Sequence, residues 1–402
     1  MSGNLCVVLM AAALPAAAQE VLTLESVLQR TRESAPAVQA ARARIEEARA
    51  RRIGAAARLS EKPAISASAG PRERPGSSFV DVDVGVEQLF EIGGQRGARI
   101  SAAEALIDRE MASSEAVLRE ALREGGSAFL NGLAARDRLE LARAAFTNAT
   151  ELLEATRRRY ELGDVAAIDL NLARIVEART RANAADASAE KLSAEGRLRA
   201  LLSIGSEVPI VLEGDLAELG RRDADGLLAQ AGELPELRAI AAEARAAEAE
   251  VRLGNAETHP DLGMTLDYER EEGDDVLRFG GILTLPWTNT GKSRRAEAEA
   301  RGRRLALELA GARAATASGL RTAHEVYRAR VEAAEAMTTG ALPSVLDNEA
   351  LAARSYEAGE IGLLALLLLR REAFDARVST IERNLEAAEA AIDLELAAGV
   401  LR

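Results

Sequence analysis

The residue types that most often carry chemistry are scarce in this chain and badly spaced for it. There are two histidines, His259 and His324, one before an alternating stretch and one on a helical pattern, and a single cysteine, Cys6, near the N-terminus. A soft-metal centre needs several imidazole or thiolate ligands brought to one point, so no metal site and no cofactor are expected. Asp and Glu are abundant, but they are interleaved with Arg along helical segments. That is the spacing of solvated i, i+4 pairs, not of an acid–base couple. The run GGQRG at 93–97 has glycines but no GK[ST] behind it, and it opens a helix. No catalytic activity is expected.

What recurs instead is a turn. Residues 160–173, YELGDVAAIDLNLA, return as 356–369, YEAGEIGLLALLLL. Each copy runs from a charged, Ala-rich helical pattern into a tyrosine (Tyr160, Tyr356). A glycine follows three residues later (Gly163, Gly359), then an acid (Asp164, Glu360) and an aliphatic residue (Val165, Ile361) that opens the next apolar pattern. Glycine suits the left-handed residue that ends a helix, and an acid suits the start of the next one, where free N–H groups point outward. Both copies therefore read as helix–turn–helix tips. They lie 196 residues apart, about half of the 402-residue chain, so the chain reads as an internal duplication, with repeats at about 19–205 and 223–402 around a mixed connector.

Composition agrees with long packed helices. Aromatics are only 3 %, while Ala, Glu, Arg and Leu dominate. A net charge of −13 argues against a nucleic-acid partner. Residues 1–18 carry an apolar run and an A-x-A pattern before Gln19, the form of a secretory signal, although no Lys or Arg precedes the run. Cys6 lies too early for a lipid-attachment cysteine, and removal of the signal leaves no cysteine. The longest apolar run after it, at 363–369, is far short of the roughly 18 residues of a membrane helix.

The elements between the tips fall into an order that repeats. Residues 24–59 are helical, with Pro36 at an early turn. Residues 63–70 (PAISASAG) and 79–90 (FVDVDVGVEQLF) change to a period of two. Val80, Val82, Val84 and Val86 share one face, and Asp81, Asp83 and Glu87 the other, which is the pattern of a strand. In a soluble sheet the valines meet a core; on a barrel in lipid they face the bilayer and the acids a wet lumen. A helical pattern without proline then runs from 95 to 162. In it Ile100, Met111, Leu122 and Leu133 recur every eleven residues, and Leu139, Phe146, Leu153 and Tyr160 every seven. The first spacing gives a nearly straight bundle, the second a left-handed coiled coil. Gly125 falls in the column of Ala103 and Ser114 and is expected to allow close helix approach.

A return helix covers 165–202, and the connector 203–222 follows. The second half repeats the order with a helix over 225–257, alternation at 260–269 and 277–285, a long helix from 292 interrupted near Gly340 and Pro343, and a last helix to about 396. Phe90 pairs by position with Trp287, and Phe79, Phe90, Tyr268, Phe279 and Trp287 are expected at the membrane interfaces. Two hairpins give four strands, too few to close a barrel, so several chains must share one.

The doubled tips, the paired hairpins and the stretch LFEIGGQRGARISAAEA together resemble the outer-membrane efflux ducts, the TolC-like family, over essentially the whole chain after residue 18. EIGGQRGAR is similar to the CzcC-like branch linked to heavy-metal efflux. The resemblance implies a mainly α fold with a small β part. Long helices form a periplasmic α-barrel, and four strands per chain join a shared trimeric transmembrane β-barrel in the outer membrane of a Gram-negative cell. It implies a passive exit duct for small solutes, heavy-metal cations among them, that works as a homotrimer with a periplasmic adaptor and an inner-membrane pump of RND type. The adaptor meets the tips at Tyr160, Gly163, Asp164, Val165, Tyr356, Gly359, Glu360 and Ile361. Acids after the tip glycine hold the entrance closed in such ducts. Asp169 fits that pattern, whereas the second copy has Ala365 and Leu368, so Leu364, Leu368 and their neighbours imply either an apolar constriction or helix packing. A protein-secretion duct of the same fold, or a soluble periplasmic coiled-coil scaffold, are the alternatives left by sequence.

Overall fold

The computed structural model describes residues 20–59, 61–229, 234–271, 274–287 and 291–401. The expected secretory signal at 1–18 lies outside them. The chain divides into two compact units, each of which draws on both halves of the sequence. One comprises Met1–Pro36, Glu120–Ala231 and Leu320–Arg402, the other Ala37–Arg119 and Gly232–Gly319.

In the first unit, β1 (Glu20–Leu22) pairs in parallel with β4 (Ile210–Leu212). Neither strand shows in the sequence pattern, because three residues are too few for a period to register. Helix α1 (Leu24–Ser34) starts with a capping box in which Thr23 and Ser26 exchange side-chain-to-backbone hydrogen bonds. Helix α3 (Gln95–Glu161) is a single 67-residue helix, about 100 Å long, and contributes to both units. Leu122 and Leu133 of the eleven-residue column are fully buried, as is Phe129, and Phe129 and Leu133 pack with Leu22, Val27, Leu212 and Ile392, whereas Met111 of the same column is 48 % exposed and Ile100 is half-buried. Gly125 allows the close approach read from its column, since a Cβ there would lie 2.7 Å from the Thr31 hydroxyl. Further along α3 the buried seven-residue column is Ala142, Ala149 and Thr156; Tyr160, in the neighbouring column, is 42 % exposed. Arg136 donates to the carbonyls of Leu212 and Gly214 at 2.8 and 3.1 Å and so ties α3 to the connector. Burial pushes the adjacent Asp137 carboxyl up, against the pull of its ion pair with Arg136.

Helix α4 (Ala167–Leu202) returns from the first tip and ends at Ser203 in a left-handed conformation, φ 53°. The connector adds α5 (Leu216–Leu219) and α6 (Ala224–Ala229). The helix read over 225–257 is thus two pieces, α6 and α7 (Pro235–Ala256), with 230–233 outside the described residues. In the second half the long helix is α8 (Lys292–Glu335), a π turn (Ala336–Ala341) and α9 (Leu342–Glu357). The interruption expected near Gly340 and Pro343 is this π turn. Helix α10 (Leu363–Ala397) closes the chain, and Gly399 ends it as Ser203 ends α4, 196 positions earlier.

The second unit contains α2 (Pro36–Ala55) and one antiparallel sheet of four strands, β2 (Ala64–Arg74), β3 (Ser77–Glu91), β5 (Asp261–Glu271) and β6 (Asp274–Thr284), in the order β2-β3-β5-β6. The two hairpins of the two halves are thus fused through β3 and β5. Because residues opposite each other share a face, the register sorts every side chain. Val86 lies opposite Ile65 and Leu266, Leu266 opposite Phe279, and Val84 opposite Tyr268. On the other face Asp83 lies opposite Ser68 and Glu269, and Gly85 opposite Ser66 and Asp267. A Cβ on Gly85 would come within 2.4 Å of the Asp267 carboxylate. Phe79, expected with the girdle, falls instead on the acid face opposite Arg72, whereas Phe90, Tyr268 and Phe279 lie on the apolar face.

The apolar face is the exposed one. Val80, Leu277 and Phe279 are 65, 71 and 77 % exposed, while Asp81, Asp83 and Glu87 are half-buried. That inverts the arrangement of a water-soluble sheet and suits a lipid contact. Among the described residues no helix is long and apolar enough to cross a membrane. Placing Arg on the lipid face costs about 2–4 kcal/mol at mid-bilayer, so Val84→Arg should abolish outer-membrane insertion. Asp83→Arg meets Glu269 and should insert normally. Heat-modifiable mobility of membrane fractions reads both, and equal insertion of the two variants would contradict the assignment.

Candidate functional site

Both tips are built by the same backbone device. At the end of α3 the N–H of Gly163 donates to the Tyr160 carbonyl at 3.0 Å and that of Asp164 to the Arg159 carbonyl at 2.8 Å. At the end of α9 the Gly359 N–H donates to Tyr356 at 3.1 Å and the Glu360 N–H to Ser355 at 2.8 Å. This is the paired hydrogen-bond closure of a Schellman turn, with the glycines at φ 81° and 77°. All of Gly163, Asp164, Gly359 and Glu360 are exposed, and Val165 and Ile361 are half-buried behind them.

The side chains make the two tips unequal. Arg159, next to the first tip, lies over the Tyr356 ring, 5.8 Å from its centre, and its Nη1 is 3.4 Å from the Tyr356 hydroxyl. The second tip is tightened from within by Ser355, whose hydroxyl donates to Glu360 at 2.9 Å. Asp169 is half-buried in the first turn of α4 and has no side-chain partner among the described residues. In α10 the leucine run divides. Leu363 and Leu366 are buried with Leu152 and Ala352, which is helix packing. Leu364 and Leu368 point outward, 61 and 59 % exposed, and line a cavity of about 520 Å³. Sequence left constriction and packing open for this run; the structure assigns packing to Leu363 and Leu366 and leaves Leu364, Leu368 and Leu369 exposed. The Arg159–Tyr356 contact was not legible in sequence, because it joins residues 197 positions apart.

In the sheet, the acid face carries its own ion pairs. Arg72 Nε meets Asp81 at 2.6 Å, and Arg278 meets Glu269 at 2.6 Å. Among the described residues there is no group of three His, Cys, Asp or Glu side chains that could hold a metal ion.

Long helices turned by glycine tips and a four-stranded sheet with one apolar and one acidic face are the features to compare with known proteins. Residues 27–203 match the model of the family described as outer membrane efflux protein. It is 26 % identical over 292 residues to the cobalt-zinc-cadmium resistance protein CzcC of Cupriavidus metallidurans, covering 72 % of this chain and 70 % of that protein. The fold is shared with the crystal structure of the Campylobacter jejuni CmeC outer membrane channel, with a TM-score of 0.77 and 16 % identity over 94 % of this chain and 85 % of that one. It is shared equally with CusC, with a TM-score of 0.75 and 17 % identity over 94 and 92 % of the two chains.

At both tip glycines a Cβ would meet nothing within 4 Å. The cost of a side chain is therefore conformational, about 1–2 kcal/mol for the left-handed region. Gly163→Val or Gly359→Val should leave outer-membrane assembly intact and abolish efflux, whereas Gly359→Asn, which tolerates that conformation, should retain it. Susceptibility of complemented cells checks this, and wild-type susceptibility of both valine variants would show that the turns do not matter.

Proposed function

We propose that this protein is the passive outer-membrane exit duct of a tripartite efflux system, and that its cargo is small solutes that include heavy-metal cations. The observation that carries the reading is the sheet. It presents an apolar face outward and an acidic face inward, and it is open at β2 and β6, so that copies of the chain must complete it. A trimer supplies twelve strands, and the chain is proposed to act as that homotrimer, as two repeats in one duct domain.

The partners are a periplasmic adaptor, docked on the tips at 160–165 and 356–361, and an inner-membrane pump of RND type. The likeness to a cobalt-zinc-cadmium resistance protein supports metal cargo. With so few imidazoles and no cysteine after residue 6, selection among metals falls to the pump. The duct's own contribution is electrostatic: Asp81, Asp83 and Glu87 line the lumen and favour cations over anions. Asp169, without a side-chain partner among the described residues, contributes to the entrance, where copies from three chains converge.

Deleting the gene should raise cellular zinc, cobalt or cadmium and lower the tolerated concentration several-fold, with restoration by the intact gene. Unchanged metal content and tolerance would remove metal as cargo. In planar bilayers the purified protein should conduct cations over anions. Asp169→Ala should raise resting conductance and sensitivity to large antibiotics; if it changes neither, the entrance is not held by that acid.

A further inference from the structure

The cavity behind the second tip is an open cleft lined by residues of the first unit. Its walls come from four helices of the first unit: α3 (Leu152), α4 (Leu172, Val176), α9 (Glu349) and α10 (Leu367, Phe374). It extends along α3 from 141 to 152 and along α4 from 172 to 183, a length of roughly 16 Å at 1.5 Å per residue. Spread over that length, the volume of about 520 Å³ leaves a cross-section of roughly 30 Å², using the same helical rise. The space is that of an extended chain or a flat ring system, within the range of small-molecule sites.

The charges at the cavity are uneven. Arg377 is held by Glu349 at 2.6 Å and Arg371 by Asp375 at 3.6 Å. Arg179 on α4 and Arg370 on α10 also line it, and neither has an ion-pair or hydrogen-bond partner among the described residues. Two uncompensated guanidinium groups beside an apolar slot favour a ligand with an anionic head and an apolar body, because a carboxylate or sulfate can take bidentate hydrogen bonds from arginine.

We propose that this cavity is a binding site for an elongated amphipathic anion, such as a medium-chain alkyl carboxylate, with its head at Arg179 and Arg370 and its tail along Leu172, Leu367 and Phe374. Leu364 and Leu368, in the first turns after the second tip, lie in its wall, so occupancy stiffens the segment that follows Gly359. The site is independent of which cargo passes through the duct.

The test uses the full chain in lipid nanodiscs, with Trp287→Phe removing the one native tryptophan and Phe374→Trp placing a reporter in the cavity. Titration with 11-bromoundecanoate should quench the reporter saturably, and 11-bromoundecanol should need at least tenfold higher concentration. Arg179→Gln with Arg370→Gln, both unpartnered and so harmless to folding, should weaken the bromo acid at least tenfold and leave the alcohol unchanged. Quenching that rises linearly without saturation, or that is equal for acid and alcohol, overturns the proposal. So does a reporter that the bromo acid cannot reach because a second copy of the chain fills the slot.

Discussion

The antiparallel pairing of β3 with β5 is the contact on which the rest of the structure depends. It fuses the hairpins of the two halves into one sheet and fixes the register from Val82–Arg270 to Glu91–Asp261. Because side chains alternate along a strand, a slip of one residue there would carry every valine of β3 to the acid side. With the pairing in place, the apolar faces of β3, β5 and β6 align into one surface, and the carboxylates gather on the other. Gly85 leaves room on that face for the Asp267 carboxylate and the Ser66 hydroxyl, which a Cβ there would displace. The pairing also leaves β2 and β6 as the outer strands. An outer strand carries backbone N–H and C=O groups that a bilayer cannot satisfy. In the proposed trimer, neighbouring copies would pair those edges through backbone hydrogen bonds.

The first unit meets a different constraint, that of turning long helices around in little space. Both reversals at the tips use a left-handed glycine with the same pair of hydrogen bonds, and the opposite ends use Ser203 and Gly399 in the same way. Duplicated backbone geometry then carries different side chains. The first tip offers Asp164, Asp169 and an arginine that reaches across to Tyr356; the second offers Glu360 and outward leucines. One half has an unbroken α3, the other a π turn between α8 and α9. The two tips of the chain are therefore two different surfaces on one backbone geometry.

Much of this was legible because the signals are long or repeated. The valine alternation at 80–86, the eleven-residue column through Leu122 and Leu133 and the doubled tyrosine–glycine turns each declare a backbone geometry. What escaped was short or distant. The β1–β4 pair has three residues per strand. The connector helices α5 and α6 are only one or two turns long. The Arg159–Tyr356 contact depends on how two hairpins pack. Phe79 was misplaced because a strand's face is read from parity, and its aromatic character outweighed its parity with Asp81. The division of the 363–369 leucines into buried and outward pairs required knowing which face of α10 meets α3 and α9.

A barrel shared between copies requires β2 of one chain to pair with β6 of the next. The chain has no cysteine after residue 6, so single cysteines at Ala67 on β2 and Gly281 on β6, both on the outward face by register, together with their neighbours two residues away, can be combined in one protein and oxidised in the membrane. Disulfide-linked dimers and trimers that form only for certain register pairs, and resolve to monomers on reduction, are the predicted result. A protein that inserts in the outer membrane and yields only monomers for every pair would contradict the shared barrel.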